Sequence, residues 1–241
     1  MSFTVLIPAR KGSTRLPNKP LLDINGKLLI ERVYLQAIKS NAVRVIVATD
    51  SKTIKEKCKS FGAEVVLTDS KHKSGTDRIE EAARLVNLDP NGPIVNVQGD
   101  EPFIDPSDIN SVADLLSTNR FDITTLYSPL LENQIDNRNV VKIWVKENEE
   151  VLSFSRNKNE LGSLDEIRFR HLGIYGYKLS TIKLFVSLKR TKGEKEQKLE
   201  QLRALENGYS FGARRSSSTI HLGIDTEEDL LKAREYLQNG N

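Results

Sequence analysis

Basic side chains cluster in a short loop near the start of the chain, residues 8–21, together with glycine, serine and proline. The loop combines four cations with a glycine-serine turn: Arg10, Lys11, Arg15, Lys19, Gly12 and Ser13. Backbone N–H groups approach phosphate oxygens closely where glycine has no side chain, and guanidinium and ammonium groups neutralise phosphate charge. The prolines restrict the backbone and hold these cations in place. The loop therefore predicts a polyphosphate site, with a solvated basic turn as the simpler alternative.

Two aspartates follow predicted strands further along the chain. Asp100 comes shortly after the predicted strand at residues 94–97, and Asp225 directly follows the one at residues 219–224. Ligands of open α/β sheets bind beyond the carboxyl ends of the strands, so both carboxylates are expected near the basic loop. Mg²⁺ favours one or two carboxylates together with phosphate oxygens and water. The pair therefore predicts a magnesium site on a bound nucleotide, and a helix cap is the alternative for either aspartate.

A third polar turn, residues 72–78, lies between a predicted strand and a predicted helix. Its Ser74 and Thr76 hydroxyls, its backbone amides and Arg78 suit contacts with the edge of a base or with a ribose. A helix-capping turn explains the same residues equally well.

Alternating strands and helices must position these groups in the first half of the chain. Buried, β-branched runs predict strands at residues 3–7, 43–49, 64–68 and 94–97. Apolar residues at helical spacing predict helices at residues 28–40, 52–61, 77–86 and 107–116. Ser107 is the expected N-cap of the last of these helices. Repeated strand–helix units predict an α/β fold with a doubly wound, mostly parallel sheet.

The pattern changes after about residue 121, where polar turns separate short predicted strands and indicate antiparallel additions to the sheet. These strands are predicted at residues 121–128, 139–146, 151–155 and 167–177. The last elements are predicted as a helix at 194–206, a strand at 219–224 and a helix at 227–237. The serine-rich residues 214–218 are interpreted as a mobile loop.

Composition and charge argue against several classes of protein. The 241 residues include 36 basic and 33 acidic residues, a formal charge of +3 that is too small to favour nucleic-acid binding. The single cysteine, Cys58, excludes an intrachain disulfide framework and predicts a packed thiol at helical spacing from Ile54. No apolar run approaches the length of a membrane span, and no basic tail indicates a membrane surface. These features predict a cytoplasmic protein without a membrane partner.

Together these motifs resemble those of the cytidylyltransferases that activate 3-deoxy-manno-octulosonate (Kdo) as its CMP derivative. The resemblance covers nearly the whole chain and rests on residues 8–21, 48–50, 74–78, 97–102, 171–177, 199–203 and 223–226. Many sugar nucleotidyltransferases share the opening loop, whereas 171–177 and 199–203, in this order and spacing, are specific to the Kdo branch. The resemblance implies a Mg²⁺-dependent reaction of CTP with an acid sugar that releases pyrophosphate, carried out by a homodimer.

The resemblance also implies roles for parts of the chain. It implies one nucleotidyltransferase domain over residues 1–241, within which about 121–215 form an acceptor-binding and dimerisation lobe. It implies nucleotide binding by Ala9, Arg10, Gly12, Ser13, Arg15, Lys19, Ser74, Arg78 and Gln98. It implies catalysis by Arg10, Lys19, Asp100 and Asp225, with Mg²⁺ held by the two aspartates. It implies binding of the acid sugar by Gln98, Arg156, His171, Tyr175, Glu200 and Gln201.

Some of these acceptor residues have simpler interpretations. Arg156 is expected to bind the sugar carboxylate because a guanidinium binds a carboxylate bidentately. His171 and Tyr175 lie four apart on a predicted strand and therefore share a face, which suits one pocket or a packed ring pair. Residues 199–203 also fit an amphipathic helix whose glutamates are solvated.

The chain departs from the family's pattern, mostly around the acceptor. Residues 157–162 replace an Ile-Pro pair and a further arginine, 191–193 replace Ser-Pro-Leu, and Glu227 replaces a proline. The expected acceptor is therefore Kdo or an analogue such as 8-amino-Kdo or another nonulosonate-like acid, for lipopolysaccharide or capsule synthesis. A nucleotidyltransferase for a sugar-1-phosphate and a silent nucleotide-binding regulator are the other two hypotheses.

Overall fold

The computed structural model describes residues 2–12, 15–72, 74–157 and 168–239. Its strands are β1 (Thr4–Ala9), β2 (Asp23–Ile24), β3 (Lys27–Leu28), β4 (Arg44–Thr49), β5 (Glu64–Leu67), β6 (Pro93–Asn96), β7 (Ile123–Pro129), β8 (Lys142–Val145), β9 (Val151–Ser155), β10 (Arg168–Lys178) and β11 (Phe211–Arg215). Its helices are α1 (Leu29–Ala37), α2 (Lys52–Ser60), α3 (Gly75–Leu85), α4 (Pro106–Ser117), α5 (Leu179–Ser187), α6 (Lys192–Gln197), α7 (Gln201–Glu206) and α8 (Glu227–Gln238). No helix in these ranges is long and apolar enough to span a bilayer.

The central sheet has the strand order β11-β7-β10-β6-β1-β4-β5, and β8 and β9 extend it from β10. β1 pairs in parallel with β4 and β6, and β4 pairs in parallel with β5. β10 lies antiparallel between β6 and β7 and also pairs with β8. The predicted doubly wound, mostly parallel sheet with antiparallel additions in the second half is therefore confirmed.

Helices cover both faces of this sheet, which explains why the parallel strands are apolar on both sides. Val5 and Ile7 of β1 pack into one layer with residues of α1, α2, α4 and α8. Leu6, between them, packs into the opposite layer with residues of α3, α5 and α7. All three side chains are fully buried, so β1 lies at the centre of the fold and its carboxyl end is a rigid point from which the basic loop begins.

Side-chain caps determine where two of these helices begin. The Ser74 hydroxyl accepts from the amide of Asp77, and the Asp77 carboxylate accepts from the amide of Ser74, so the capping interpretation of this turn is correct. The prediction of Ser107 as the N-cap of α4 was wrong. Asp105 is the cap and accepts from the amide of Ser107, while Pro106, which has no N–H, takes the first helical position.

The helix predicted at residues 194–206 is two helices, α6 and α7. Lys198 breaks it with a left-handed backbone conformation (φ 54°, ψ 45°). The break lets α7 fold back on α6, so that Arg203 Nε and Nη2 donate to the Glu194 carboxylate at 2.8 and 2.7 Å. Helix α5 and the short β2–β3 pair were not predicted.

Residues 219–224 have no regular secondary structure, so the strand predicted there is absent. The hydroxyl of Ser218, just before them, accepts from the amide of Ile220, and this local hydrogen bond competes with strand pairing. The mobile-loop interpretation of residues 214–218 was also wrong. Arg214 and Arg215 belong to β11, which pairs in parallel with β7, and the Ser216 hydroxyl donates to Asp108 of α4.

Candidate active site

A cleft of about 270 Å³ lies beyond the carboxyl ends of β1 and β6. It is lined by Pro8, Ala9, Arg10, Arg15, Lys19, Pro20, His72, Ser74, Gly75, Arg78, Gln98, Gly99, Asp100 and Asp225. The structure therefore brings together nearly all the residues that the sequence assigns to nucleotide and metal. Of the others, Gly12 is exposed and does not line the cleft, and Ser13 lies outside the described residues.

Two glycines allow separate segments of the chain to meet at Pro8. A Cβ added to Gly99 would lie 2.6 Å from the carbonyl oxygen of Pro8, which no side chain tolerates without a shift. A Cβ added to Gly75 would lie 3.4 Å from Pro8 Cγ and 3.9 Å from Gln98 Oε1. The end of β1, the start of α3 and the turn after β6 therefore form one continuous wall.

Lys19 joins the two predicted metal ligands. Its Nζ lies 2.7 Å from Asp100 Oδ2 and 2.9 Å from Asp225 Oδ1, and Arg15 Nη2 lies 3.2 Å from the same Asp225 oxygen. Burial lowers the pKa of Lys19, but the two carboxylates outweigh it and raise that pKa overall. Burial alone would raise the pKa of Asp225, and the contacts from Lys19 and Arg15 reverse this and lower it. Both aspartates therefore approach a single cation.

Asp225 reaches the cleft without a strand to carry it. The amide of Ile224 donates to the carbonyl oxygen of Asp100 at 2.9 Å, which places the next residue beside Asp100. Thr226, not Asp225, caps α8, because its hydroxyl accepts from the amide of Asp229. The helix-cap alternative for the Asp225 side chain is thus wrong, since its carboxylate faces Lys19 and Arg15.

Asp50, to which sequence reasoning gave no individual role, holds two parts of the site. Its carboxylate accepts from the backbone amide of Lys11 at 2.9 Å and from Arg78 Nη2 at 2.9 Å. Arg78 is buried and also donates to the Thr68 hydroxyl at 2.5 Å. Its guanidinium group is therefore already hydrogen-bonded within the protein, and a contact of Arg78 with a nucleotide stays a prediction. The signal for Asp50 was its position directly after a parallel strand.

Glu200 lines two cavities other than the cleft. The Thr76 hydroxyl donates to Glu200 Oε2 at 2.8 Å, and burial raises the pKa of this carboxyl group. A small cavity of about 40 Å³ is lined by Tyr175, Glu200 and Gln201 among others. A wider one of about 440 Å³ includes Glu200 and shares Ser74 with the cleft. Three of the predicted acceptor residues therefore line one small cavity, and Glu200 also lines the cavity that shares a residue with the cleft.

His171 is packed in the protein interior next to these cavities. Its Nε2 lies 3.0 Å from the Thr125 hydroxyl, and its ring contacts those of Phe154 and Tyr175, with centroids 5.0 and 5.5 Å apart. Burial lowers the pKa of His171 to about 3, so the ring is neutral. His171 and Tyr175 therefore form the packed ring pair that was one of the two interpretations. A contact of His171 with the sugar stays a prediction.

Arg156 is bound to backbone carbonyl groups. Its Nε donates to the carbonyl oxygen of Gln197 at 2.8 Å, and its Nη1 donates to those of Arg138 and Asn139 at 2.9 and 3.3 Å. It is not among the residues that line the three cavities. The structure therefore does not bring Arg156 together with the other predicted acceptor residues.

Comparison with known proteins agrees with this fold and cleft. A family model for cytidylyltransferases matches residues 4–220. The chain is 44% identical to the 3-deoxy-manno-octulosonate cytidylyltransferase of Marinobacter nauticus, over 100% of this chain and 98% of that protein. It is 42% identical to the 3-deoxy-manno-octulosonate cytidylyltransferase 2 of Actinobacillus pleuropneumoniae, over 99% of this chain and 100% of that protein.

Solved structures give the same result. The structure of CMP:2-keto-3-deoxy-manno-octonic acid synthetase complexed with CTP matches with a TM-score of 0.92 at 31% identity, over 100% of this chain and 99% of that one. A cytidylyltransferase from Leptospira borgpetersenii, with a TM-score of 0.63 at 19% identity over 100% and 87% of the chains, shares the fold. The family model, the identities over the full chain and the matching fold agree, and this chain belongs to the 3-deoxy-manno-octulosonate cytidylyltransferase family.

Proposed function

We propose that this enzyme transfers CMP from CTP to the anomeric hydroxyl of Kdo, which yields CMP-Kdo and pyrophosphate. The observation that carries the proposal is the convergence of Lys19, Asp100 and Asp225 in a cleft lined by further cations. Such a site combines the charges that a magnesium-bound triphosphate requires. The relatives' names support CTP as the nucleotide and Kdo as the acceptor.

In this proposal the basic loop binds the triphosphate. Arg10, Arg15 and Lys19 contact its oxygens and neutralise the negative charge that builds up on the departing pyrophosphate. The bond between the α-phosphorus and the pyrophosphate oxygen breaks as the anomeric oxygen bonds to phosphorus in line with it. The proton of the attacking hydroxyl passes to water.

Asp100 and Asp225 would hold Mg²⁺. Their oxygens lie 2.7 and 2.9 Å from one ammonium nitrogen, so the two carboxylates are spaced to share a cation, and oxygen donors suit magnesium. No group of three or more His, Cys, Asp or Glu residues with metal-site geometry occurs in the part of the chain that the structure describes. The remaining ligands would thus be phosphate oxygens and water. When bound, Mg²⁺ neutralises phosphate charge and polarises the α-phosphate.

The acid sugar would enter beside Glu200, which lines both cavities outside the cleft. Tyr175, Glu200 and Gln201 offer polar groups for its hydroxyls, and Gln98 lies in the adjoining cleft. Contact of Arg156 with the sugar carboxylate requires its guanidinium to leave the carbonyl groups it now binds. Lys195 and Lys198 line the cavity of about 440 Å³ and offer other cations for that carboxylate.

Family resemblance further supports a homodimer that is joined through the lobe at about 121–215. It also supports a location in the cytoplasm and a supply of CMP-Kdo for lipopolysaccharide or capsule synthesis. Sedimentation equilibrium tests the dimer. The expected mass is that of two chains, and the mass of one chain would contradict this part of the proposal.

Pyrophosphate release tests the reaction. The purified enzyme is incubated with Mg²⁺ and either CTP or UTP, and with Kdo, 8-amino-Kdo or glucose-1-phosphate as acceptor. Release is expected with CTP and Kdo, with a CMP-sugar detected by mass spectrometry. Release only from UTP with the hexose phosphate would overturn the proposal, as would calorimetric binding of CTP without turnover on any acceptor.

A further inference from the structure

His72 lines the nucleotide cleft from the loop between β5 and α3. Its Nε2 lies 2.6 Å from Glu81 Oε2 on α3, and both side chains are mostly buried, with exposed fractions of 22% and 17%. The same Glu81 oxygen accepts from the backbone amide of Asp69 at 2.7 Å. The ring is therefore anchored at one nitrogen, and only its other edge is available to the cleft.

The anchor determines which nitrogen carries the proton in the neutral ring. Burial raises the pKa of Glu81, but the bonds from Asp69 and His72 outweigh it and lower that pKa, so the carboxylate is ionised at neutral pH. An ionised carboxylate only accepts hydrogen bonds, so Nε2 must be the protonated nitrogen. Nδ1 of the neutral ring then presents a lone pair, and no group in the described ranges bonds to it. A hydrogen-bond acceptor is thus fixed at the cleft.

The residues that line the cleft divide into a charged set and an uncharged set. Arg15, Lys19 and the two aspartates are joined by ion pairs and suit phosphates and metal. In the uncharged set, Gly75 lies against Pro8 and near Gln98, and Ser74 precedes it as the N-cap of the helix that also carries Glu81. The nucleobase belongs with this second set, where His72 lies.

We propose that His72 selects cytosine over uracil by accepting a hydrogen bond at Nδ1 from the 4-amino group, with Glu81 as the residue that fixes the ring. Cytosine presents an amino donor at this position, whereas uracil presents a carbonyl oxygen that faces the Nδ1 lone pair unfavourably. A site built to bond a substrate N–H rejects the analogue that lacks it. The inference rests on the proposed use of CTP.

Two substitutions at one position separate base selection from ring anchoring. His72→Gln places an amide near the Nε2 position, which keeps the bond to Glu81 and removes the acceptor. His72→Asn places an amide oxygen near the Nδ1 position, which keeps the acceptor. The measured quantity is the ratio of kcat/KM for CTP to that for UTP, with Kdo as the acceptor and all variants at one pH. Lys71→Ala, in the same loop but not lining the cleft, is the matched control.

We expect the ratio to fall roughly tenfold in His72→Gln, to stay within about threefold in His72→Asn, and to be unchanged in Lys71→Ala. An unchanged ratio in His72→Gln would overturn the inference, as would an equal fall in both His72 variants, because that would show a role in positioning alone. Failure of the wild-type enzyme to use CTP with Kdo would instead contradict the proposed function.

Discussion

Lys19 is the residue on which the charge balance of the cleft depends. It separates Asp100 from Asp225, two carboxylates that would otherwise repel each other, and only 12% of its side chain is exposed. In the absence of ligand the ammonium group therefore stabilises the arrangement that a divalent ion and a triphosphate would share.

Asp100→Asn is expected to lower kcat at least about 100-fold, because an amide is a poorer magnesium ligand and carries no charge. Stability should change by only about 1 kcal/mol or less, since Asp100 is partly exposed and Lys19 keeps Asp225 as a partner. Pyrophosphate release and thermal unfolding measure the two effects. Glu228→Gln, which removes a carboxylate from an exposed pair on α8, is the control with full activity. Wild-type turnover in Asp100→Asn would show that the metal assignment is wrong.

His171 should make the fold sensitive to acid. Burial lowers its pKa to about 3 in the folded state, whereas an unfolded histidine takes up its proton near pH 6.5. The unfolded state therefore binds more protons below that pH, and this residue alone lowers the free energy of unfolding by about 1.4 kcal/mol for each pH unit of acidification. Between about pH 7 and pH 5 this amounts to about 2 kcal/mol.

Urea denaturation at these two pH values tests the effect. His171→Gln should lose less stability on acidification than the wild type, although it starts from a lower value. His221, whose pKa is also lowered by burial, contributes with the same sign in both proteins and cancels in the comparison. The same loss in the two proteins would contradict the assignment to His171.

At the scale of elements, the turn between α6 and α7 positions Glu200 through a buried ion pair. Arg203 donates twice to Glu194 and lies 3.4 Å from Glu200, and both members of the Arg203–Glu194 pair are less than a tenth exposed. Glu200 in turn accepts from Thr76 beside the cleft. The sharp break at Lys198 therefore connects Glu200 to the start of α3.

Glu194→Gln should destabilise the protein by about 3 kcal/mol, because it leaves the Arg203 guanidinium buried with a poorer partner. Glu196→Gln, in the exposed pair with Lys192, should cost about 0.5 kcal/mol or less. Chemical denaturation of both variants gives the comparison. Equal midpoints for the two would show that the buried pair has no special role.

The elements that sequence predicted well are those with local signals. β4 was predicted within a residue at each end, because an apolar β-branched run between polar turns has few other structures. β11 was missed because Gly212, Arg214 and Arg215 are poor strand residues, and its pairing with the distant β7 overrides that preference. Residues 219–224 alternate between apolar and other side chains, as a strand does. Only the amide of Ile224 bonds to Asp100, at its backbone carbonyl oxygen, and no strand pairing follows.

The sequence predicted which residues form the site better than it predicted how those residues are arranged. Residue types and their position after parallel strands placed Arg10, Asp100 and Asp225 at one edge of the sheet, and the structure has them in one cleft. Sequence did not show that Arg78 is buried against Asp50 or that Arg156 binds carbonyl groups. Those outcomes depend on contacts between residues far apart in the chain, for which no local pattern exists.

At the scale of the whole molecule, the two halves of the chain share one sheet. β10 pairs with β6 of the parallel half and with β7 and β8 of the second half, so the lobe is hydrogen-bonded into the central sheet. Buried side chains of both halves occur in each of the two core layers. This continuity supports the single domain proposed for residues 1–241.

Thermal unfolding should therefore show a single cooperative transition by both calorimetry and circular dichroism. CTP with Mg²⁺ should raise its midpoint, because the ligand binds only the folded state. Two separate transitions, one of which does not respond to CTP, would contradict the single-domain account.

A crystal structure with CTP and Mg²⁺ bound would show directly whether this cleft is the nucleotide site. We expect the triphosphate against Arg10, Arg15 and Lys19, with the metal ion between the phosphates and the carboxylates of Asp100 and Asp225. Nucleotide density at any other place, with this cleft empty, would contradict this expectation.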